Sequence, residues 1–287
     1  MDLSIIIPSY NTKDLLVRCL DSIFQNLKNA QFLYEVIVVD NASNDGSRDI
    51  LNKKYTQVIK IFNNKNLGYG RANNQGIHGA KGKCILLLNS DIQVLGSGIE
   101  SLYQFICAHP RSFAGGKLLN EDGNPQASCG PMYTLPVVAM MLLAQGDTLG
   151  ITRYSPLAVR QVDWVSGACL IGAKQSFADV GFFDEGIFMY MEEIDLLYRA
   201  KKKGYAVFFQ PEARFIHTGA ASSNKRRTPV VNIYRGLTYF YRKHRGPLAV
   251  AAVKLMLLTK ALAAIVLGRM IGKQDLSLTY EEALRVV

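Results

Sequence analysis

Three apolar runs in the first third of the chain each end on polar residues that could bind a ligand. Ligands of open α/β sheets bind beyond the carboxyl ends of the strands. A helix cap is the simpler explanation for any one of these ends, but three of them at one sheet edge favour a binding site. The runs and the polar residues behind them are 3–7 with Ser9, Tyr10 and Asn11, 35–39 with Asp40 and Asn41, and 85–88 with Asn89, Ser90 and Asp91.

The third of these ends has the chemistry of a cation site. A carboxylate behind an amide, as in Asn89-Ser90-Asp91, suits a hard divalent cation, which prefers oxygen ligands and bridges phosphates. The turn behind the first run, PSYNTK, contains no glycine, so a dinucleotide-binding fingerprint is absent, and the chain has no GxxxxGK[ST] phosphate loop. These features indicate a ligand other than a dinucleotide at this edge.

A cluster of acids at residues 192–195 could supply a base. Glu192, Glu193 and Asp195 are crowded, and mutual repulsion should raise the pKa of at least one of them, which suits a general base. Asp195 and Arg199 have the i,i+4 spacing of an ion pair on a helix, so we expect Asp195 to be structural. Acids in a first helical turn are also favoured by the helix dipole, so the whole cluster could be structural.

The elements that must position these residues alternate along the chain. Strands are predicted at 3–7, 35–39, 58–62 and 85–88, and helices are predicted after a cap at Asn11/Thr12, from Ser47 and over 71–80. Near-continuous apolar strands that alternate with helices are typical of a parallel sheet covered on both faces. We therefore predict an α/β fold with a Rossmann-like, mostly parallel central sheet.

Cysteine usage and the N-terminus indicate a cytoplasmic protein. The five cysteines are odd in number, far apart and free of CxxC spacing, which argues against a disulfide framework or a thiolate zinc site. The N-terminus, MDLSIIIPSYN, has no basic region and only a three-residue isoleucine run, so no signal peptide is predicted.

The C-terminal third is strongly basic. Residues 199–273 contain 16 Lys and Arg against one acid, whereas residues 1–198 carry a net charge of −3. Such polarity indicates an anionic partner, which could be nucleic acid, a membrane surface or a phosphorylated ligand, although a solvated basic face is the alternative. Aromatic residues here sit at helical spacing, which indicates packing rather than nucleic-acid binding; they are Tyr234, Tyr239, Phe240 and Tyr241.

Residues 248–268 form a highly apolar segment within this basic third. Lys254 and Lys260 divide it, so that insertion across a bilayer is close to energetic break-even. The segment follows YRKHRG at 241–246, whose cations would meet anionic headgroups. We predict an interfacial helix on the cytoplasmic leaflet, with 225–273 as the membrane-facing range. A buried packing or dimerisation helix is the alternative.

The motifs together resemble those of the inverting family 2 glycosyltransferases of the GT-A fold, and specifically their bacterial rhamnosyltransferase-like branch. The matching stretches run in the family order over most of residues 4–222. They are SIIIPSYN (4–11), VIVVDNASNDGS (36–47), NKNLGYGRANNQGI (64–77), ILLLNSD (85–91), GGKLLNEDGNPQAS (115–128), DWVSGACLIGAK (163–174), GFFDEGIFMYMEEIDLLYRAKKKGY (181–205) and PEARFIHTGAAS (211–222).

The resemblance implies a role for particular residues of this chain. It implies a divalent metal, Mg²⁺ or Mn²⁺, on Asp91 and His217, with Asn89 in place of the first acid of the family's Asp-x-Asp motif. It implies Glu193 as the base, where similar enzymes usually have Asp. The nucleotide would contact Pro8, Tyr10, Asp40, Arg71, Asn73 and Ser90, and the donor sugar or acceptor would contact Trp164, Ser166, Gly167, Ala168 and Glu192, with Trp164 as an apolar wall.

These implications define the expected function. A GT-A domain over 1–246 and a membrane-associating helical tail over 247–287 would transfer a sugar, with L-rhamnose from dTDP-L-rhamnose as the expected donor, to a lipid-linked cell-surface glycan. The protein would lie on the inner face of the cell membrane and bind no nucleic acid; its oligomeric state stays open.

A nucleotidyltransferase would need a glycine-rich, basic first turn, which PSYNTK lacks. The other alternative is a non-catalytic, membrane-bound nucleotide-sugar or glycan-binding module. Residues 131–150 are expected to be core rather than a rim for a lipid-linked acceptor.

Overall fold

A computed structural model describes residues 1–219 and 227–287 of the chain. Residues 220–222 of the last matching stretch, and residues 225 and 226 of the basic range, lie outside the described residues. The strands are β1 Leu3–Ser9, β2 Tyr34–Asp40, β3 Ile59–Phe62, β4 Cys84–Leu88, β5 Ile92–Leu95, β6 Ser112–Leu119, β7 Cys129–Gly130, β8 Arg160–Val162, β9 Trp164–Val165, β10 Cys169–Ala173 and β11 Ala206–His217. The helices are α1 Lys13–Asn26, α2 Ser47–Lys54, α3 Tyr69–Gly79, α4 Gly98–Ala108, α5 Leu135–Leu143, α6 Lys174–Val180, α7 Glu192–Lys202, α8 Arg227–His244, α9 Pro247–Met270 and α10 Gln274–Leu284.

The central sheet has the strand order β3-β2-β1-β4-β10-β6-β11-β5, with β8 paired to β11. β1, β2, β3 and β4 are parallel, as are β6 and β11, whereas β10 and β5 run antiparallel to their neighbours. The prediction of a mostly parallel α/β sheet is therefore confirmed. Short strands β7 and β9 pair separately.

Alternation along the buried strands gives the sheet two apolar faces. Ile5 and Ile7 of β1 join the core that contains α1 and α4, whereas Ile6 joins the core that contains α3, α6 and α7. Successive side chains of a strand point to opposite faces, so helices on both faces cover the sheet. β1 extends through Pro8, which is tolerated because β4 pairs with β1 only as far as Ile6.

The predicted third strand lies at the edge of the sheet. Ile59 and Phe62 of β3 are exposed, although a sheet covered on both faces was expected. β3 pairs with β2 on one side, and no strand among the described residues pairs with its other edge. The apolar run correctly indicated a strand, but its place in the sheet decided its burial.

The C-terminal helices share a core with the sheet. α9 packs against α5, α8 and α10 through a stripe at i,i+4 spacing, namely Val253, Leu257, Ala261 and Ile265. Tyr241 of α8 donates its hydroxyl hydrogen to the Tyr133 carbonyl, 2.9 Å away, which connects α8 to the segment before α5. Val138 and Leu142 of α5 are buried, as expected for core, whereas Leu143 and Leu149 are exposed.

Candidate active site

A cavity of about 560 Å³ lies beyond the carboxyl ends of β1 and β4. It unites ten of the residues predicted from the sequence, which come from segments spread between β1 and β11. These residues are Pro8, Tyr10, Ser90, Asp91, Ser166, Gly167, Ala168, Glu192, Glu193 and His217.

The hydroxyl of Thr12 ties two strand ends together at the floor of this cavity. Its Oγ1 lies 3.1 Å from Oγ of Ser9 and 2.8 Å from Oγ of Ser90. Thr12 precedes α1 but its side chain makes no capping hydrogen bond, so the predicted cap is not formed. The hydroxyl instead fixes the ends of β1 and β4 relative to each other.

Asp40 lies at the end of β2 and is fully buried. Its Oδ2 accepts hydrogen bonds from Arg48 Nε at 2.8 Å and from the Ser43 backbone at 3.2 Å. Its Oδ1 is buried and has no hydrogen-bond partner among the described residues. A buried carboxylate oxygen without a hydrogen-bond partner costs free energy, which a donor group of a ligand would offset. Asp40 itself does not line the cavity wall.

Asp91 and His217 meet at one end of the cavity. Nε2 of His217 lies 3.5 Å from Oδ1 of Asp91 and 3.5 Å from Nδ2 of Asn89. Oδ1 of Asn89 is buried without a hydrogen-bond partner in the described part of the chain. Oδ2 of Asp91 accepts a hydrogen bond from the Gly219 backbone at 3.0 Å, which leaves Oδ1 directed at the histidine.

Gln126 sets the tautomer of His217. Nδ1 of His217 lies 2.8 Å from Oε1 of Gln126 and donates to it, while Nε2 of Gln126 donates to the His217 carbonyl at 2.6 Å. Burial lowers the pKa of His217, and the opposing effect of Asp91 does not restore it, so the ring is neutral at pH 7. A neutral imidazole whose Nδ1 carries the proton presents the Nε2 lone pair, as metal ligation requires.

These donors fit a divalent cation. Asp91 supplies a carboxylate oxygen, His217 an imidazole nitrogen and Asn89 an unsatisfied amide oxygen. Within residues 1–219 and 227–287, no three His, Cys, Asp or Glu side chains come together as a metal site. An open site with two strong ligands, one amide and room for phosphate oxygens suits Mg²⁺ or Mn²⁺.

Glu192 and Glu193 begin α7 on the cavity wall. Burial raises the pKa of Glu192 well above its usual value, and repulsion from Glu193 adds to this. Burial also raises the pKa of Glu193, partly offset by backbone hydrogen bonds, including one to Gly167, and by Arg153. In the part of the chain that the structure describes, Oε2 of each carboxyl has no hydrogen-bond partner. Two buried carboxyls with free oxygens suit proton transfer.

The backbone before α7 is strained. Tyr190 and Met191 have φ of 66° and 77°, in the left-handed region that residues other than glycine rarely adopt. Strain of this kind clusters at functional sites, where surrounding structure holds it in place. Tyr69 helps to hold the cavity wall beside Glu193, because its hydroxyl donates to the Gly167 carbonyl at 2.6 Å.

Asp195 does not line the cavity. Arg199 Nε donates to its Oδ2 at 2.8 Å, and Lys243 and His244 of α8 reach its Oδ1 at 2.9 and 2.6 Å. Burial alone would raise the pKa of Asp195, but these partners bring it below its ordinary value. The Asp195–Arg199 ion pair is therefore present as predicted, and the contacts of Asp195 with Lys243 and His244 anchor α7 to α8.

Besides Asp40, three predicted ligand residues do not line the cavity wall. Arg71 forms a half-exposed ion pair with Glu185 at 3.1 Å, and Asn73 is fully buried and donates to the Tyr69 carbonyl at 3.1 Å. The expectation that Trp164 forms an apolar wall needs correction. Trp164 is fully buried, and its Nε1 donates to the Pro131 carbonyl at 2.9 Å, so its ring packs in the core behind Ser166.

Among the cavity residues that were not singled out from the sequence, three make contacts that shape the site. Gln126 and Tyr69 lie within stretches that carry the resemblance, but neither has a residue type or spacing that indicates its contact. Arg153 lies in a segment without any recognised pattern. Only tertiary packing reveals all three.

Comparison with known proteins agrees with this architecture. Residues 4–128 match the model of the family described as Glycosyl transferase family 2. An N-acetylglucosaminyl-diphospho-decaprenol L-rhamnosyltransferase of Mycobacterium tuberculosis is 29% identical over 229 residues, which are 73% of this chain and 75% of the relative. Residues 4–128 therefore match a family 2 glycosyltransferase domain, and the predicted family and enzyme class are confirmed.

Solved structures share the fold at low sequence identity. GalNAc-T7 with UDP, GalNAc and Mn²⁺ has a TM-score of 0.61 at 19% identity, over 84% of this chain and 50% of that one. A mannosyltransferase of Pyrobaculum calidifontis in complex with GDP-Man and Mn²⁺ has a TM-score of 0.59 at 13% identity, over 99% of this chain and 85% of that one. This chain thus spans half the length of GalNAc-T7 and most of the mannosyltransferase, and has the GT-A fold.

Proposed function

We propose that the protein is a metal-dependent, inverting hexosyltransferase that moves L-rhamnose from dTDP-L-rhamnose to a lipid-linked saccharide. The observation that carries this proposal is the presence of Glu193, with a free carboxylate oxygen, in the same cavity as the Asp91–His217 pair. The rhamnosyltransferase relative from M. tuberculosis supports the choice of sugar and of a diphospho-lipid acceptor.

The residues divide the reaction between them. Glu193 accepts the proton of the acceptor hydroxyl while that oxygen attacks the anomeric carbon from the face opposite the leaving diphosphate. The new C–O bond forms as the bond to the diphosphate breaks, which inverts the anomeric configuration. Asp91, His217 and Asn89 would hold the divalent metal, which neutralises charge on the departing nucleoside diphosphate. Pro8, Tyr10 and Ser90, with Asp40 behind them, would hold the nucleotide, and Ser166, Gly167 and Ala168 the sugar.

The experiment is a panel of UDP-, GDP- and dTDP-sugars, assayed for nucleotide release and binding with Mg²⁺, Mn²⁺ or EDTA. The Asp91→Asn variant serves as the site control, and Asp122→Asn, in an exposed loop, as the matched control. We expect one preferred donor whose binding is lost with EDTA and in Asp91→Asn only. If no nucleotide-sugar binds the wild-type protein, the proposal is wrong.

We propose further that α9 places the enzyme on the cytoplasmic face of the membrane. α9 is long and apolar enough to cross a bilayer, and 22% of its most apolar 18-residue window is buried in the protein. At about 100° per residue, Leu248, Leu255 and Leu262 project from the side opposite the buried stripe. They are 89%, 63% and 49% exposed, so water would otherwise cover a continuous apolar face.

The two lysines of α9 support an interfacial position. Lys254 and Lys260 are half-buried and lie about 120° to either side of the exposed apolar face. Their ammonium groups can therefore reach the headgroups while the apolar face enters the acyl region. Arg242 and Lys243 are both exposed, but Lys243 forms ion pairs with Asp184 and Asp195, so it contributes less to headgroup binding than the sequence indicated.

A further inference from the structure

Arg153 is a cavity cation to which the proposed reaction gives no role. It lies between α5 and β8 and lines the cavity with Glu193 and His217. Among the described residues, no carboxylate forms an ion pair with it, and its buried Nε has no hydrogen-bond partner. Partial desolvation of a guanidinium that has no anionic partner costs free energy. An anionic ligand that pairs with Arg153 would offset that cost.

Arg153 is held on a rigid platform. Its guanidinium carbon lies 5.3 Å from the centre of the Trp164 ring, and Trp164 is fixed by its bond to Pro131 and by Tyr133, whose ring meets it edge to face at 5.9 Å. The neighbouring residue, Tyr154, exchanges backbone hydrogen bonds with Cys129 at 2.9 and 3.2 Å. Trp164 therefore supports the arginine instead of contacting a sugar.

The surrounding charges favour an anion on the acceptor side. Arg153 lines the same cavity as Glu193 and is near enough to lower the pKa of that carboxyl, and it also lowers the pKa of His217. The proposed nucleotide contacts Pro8, Tyr10 and Asp40 lie at the ends of β1 and β2, and the nucleoside diphosphate control distinguishes the two sides. A phosphorylated acceptor that approaches Glu193 meets two carboxyls that repel it once they ionise. Arg153 offsets that repulsion with a charge-assisted, bidentate hydrogen-bond donor, for which phosphate geometry is well matched.

We propose that Arg153 binds a phosphoryl group of the acceptor, so that the enzyme recognises a sugar that carries a lipid phosphate or diphosphate close to the attacked hydroxyl. This proposal rests on the proposed function and deepens it by defining the acceptor class. An acceptor sugar several residues away from its phosphate would not place the anion beside Glu193, so Arg153 selects the membrane-proximal end of the glycan.

The test separates this phosphate site from the donor site. Binding of a ten-carbon isoprenyl diphosphate is measured by calorimetry in the presence of Mg²⁺ and a saturating nucleoside diphosphate (UDP, GDP or dTDP, whichever binds), which fills the donor site. The uncharged ten-carbon alcohol is the ligand control. Arg153→Met retains the apolar stem over Trp164, and Arg160→Met is the matched control, because Arg160 stacks over Tyr154 at 5.2 Å and does not line the cavity.

We expect Arg153→Met to weaken isoprenyl diphosphate binding by about tenfold to a hundredfold, with Arg153→Lys in between and Arg160→Met unchanged. Binding of the nucleoside diphosphate should change by less than about twofold in all variants. Equal affinity of wild type and Arg153→Met for the isoprenyl diphosphate would overturn the proposal. It would also be overturned if Arg153→Met lost only nucleoside diphosphate binding, because Arg153 would then contact the donor. Failure of the wild-type protein to bind any nucleoside diphosphate would instead contradict the proposed function.

Discussion

Nε2 of His217 lies 3.5 Å from Oδ1 of Asp91, and the two side chains come from the end of β11 and from the loop between β4 and β5. Gln126 completes this arrangement from a third segment, because it accepts the Nδ1 hydrogen and donates to the carbonyl of the same histidine. Rotation of the ring would therefore break its Nδ1 hydrogen bond, whose acceptor Gln126 is itself held by its bond to the His217 carbonyl, so the free nitrogen stays directed at Asp91.

Loss of this clamp should weaken metal binding. We expect Gln126→Leu to reduce Mn²⁺ affinity by about tenfold to a hundredfold, because removal of an outer hydrogen-bond partner frees the ring and its tautomer. Calorimetric titration of Mn²⁺ in the presence of the bound nucleotide checks this. Gln175→Leu is the control, since Gln175 bonds only to Asp179 on the exposed face of α6. Equal Mn²⁺ affinities of wild type and Gln126→Leu would contradict the assigned role.

Replacement of Glu193 should separate chemistry from binding. We expect Glu193→Gln to lower kcat by about 10² to 10⁴, because an amide cannot accept the hydroxyl proton, with donor affinity nearly unchanged. Because burial raises the pKa of Glu193, wild-type kcat/KM should rise with pH until it passes this raised pKa, above the ordinary value of about 4.3. The residual activity of Glu193→Gln should lack this rise. A variant that retains the wild-type pH profile would exclude Glu193 as the base.

Glu192 should make stability depend on pH in a defined direction. Its pKa is raised in the folded protein, so the folded state binds more protons than the unfolded state between the two pKa values. Stability from this group is therefore complete below about pH 4.3 and falls as pH rises towards the folded pKa. Glu192→Gln removes the cost of ionisation and should therefore gain stability relative to wild type on going from pH 4 to pH 8.

Urea unfolding at several pH values measures this difference. Glu212→Gln on the exposed side of β11 is the matched control and should show a pH-independent difference from wild type. A constant difference between Glu192→Gln and wild type would mean that Glu192 ionises normally in the folded protein.

Charge on the outward face of α9 should abolish membrane binding. Leu255→Glu with Leu262→Glu places two carboxylates in the exposed apolar face without touching the buried stripe. We expect co-sedimentation with vesicles of anionic phospholipid to be lost, while donor binding is retained. Leu33→Glu is the control, because Leu33 is 67% exposed and precedes β2, far along the chain from α9. Unchanged vesicle binding of the double variant would remove α9 from the membrane contact.

The sequence by itself determined the parts of this protein that follow from local periodicity. Continuous apolar runs indicated the parallel strands, polar residues at their ends indicated the ligand edge, and i,i+4 spacing indicated the Asp195–Arg199 ion pair. Each of these depends on neighbours within one element or on a rule that applies to every open parallel sheet.

Tertiary structure decided the features that depend on distant segments. Gln126 and His217 are 91 residues apart, and Arg153 meets Trp164 only because β7, β9 and the segment before α5 pack together. The same packing buried Trp164, which a sequence pattern places equally well on a cavity wall. From the sequence Lys243 is an ordinary surface cation, but the packing of α8 against α7 places it in an ion pair with Asp195. Periodicity specifies which face of an element is apolar, but only the packed chain specifies which neighbour that face meets.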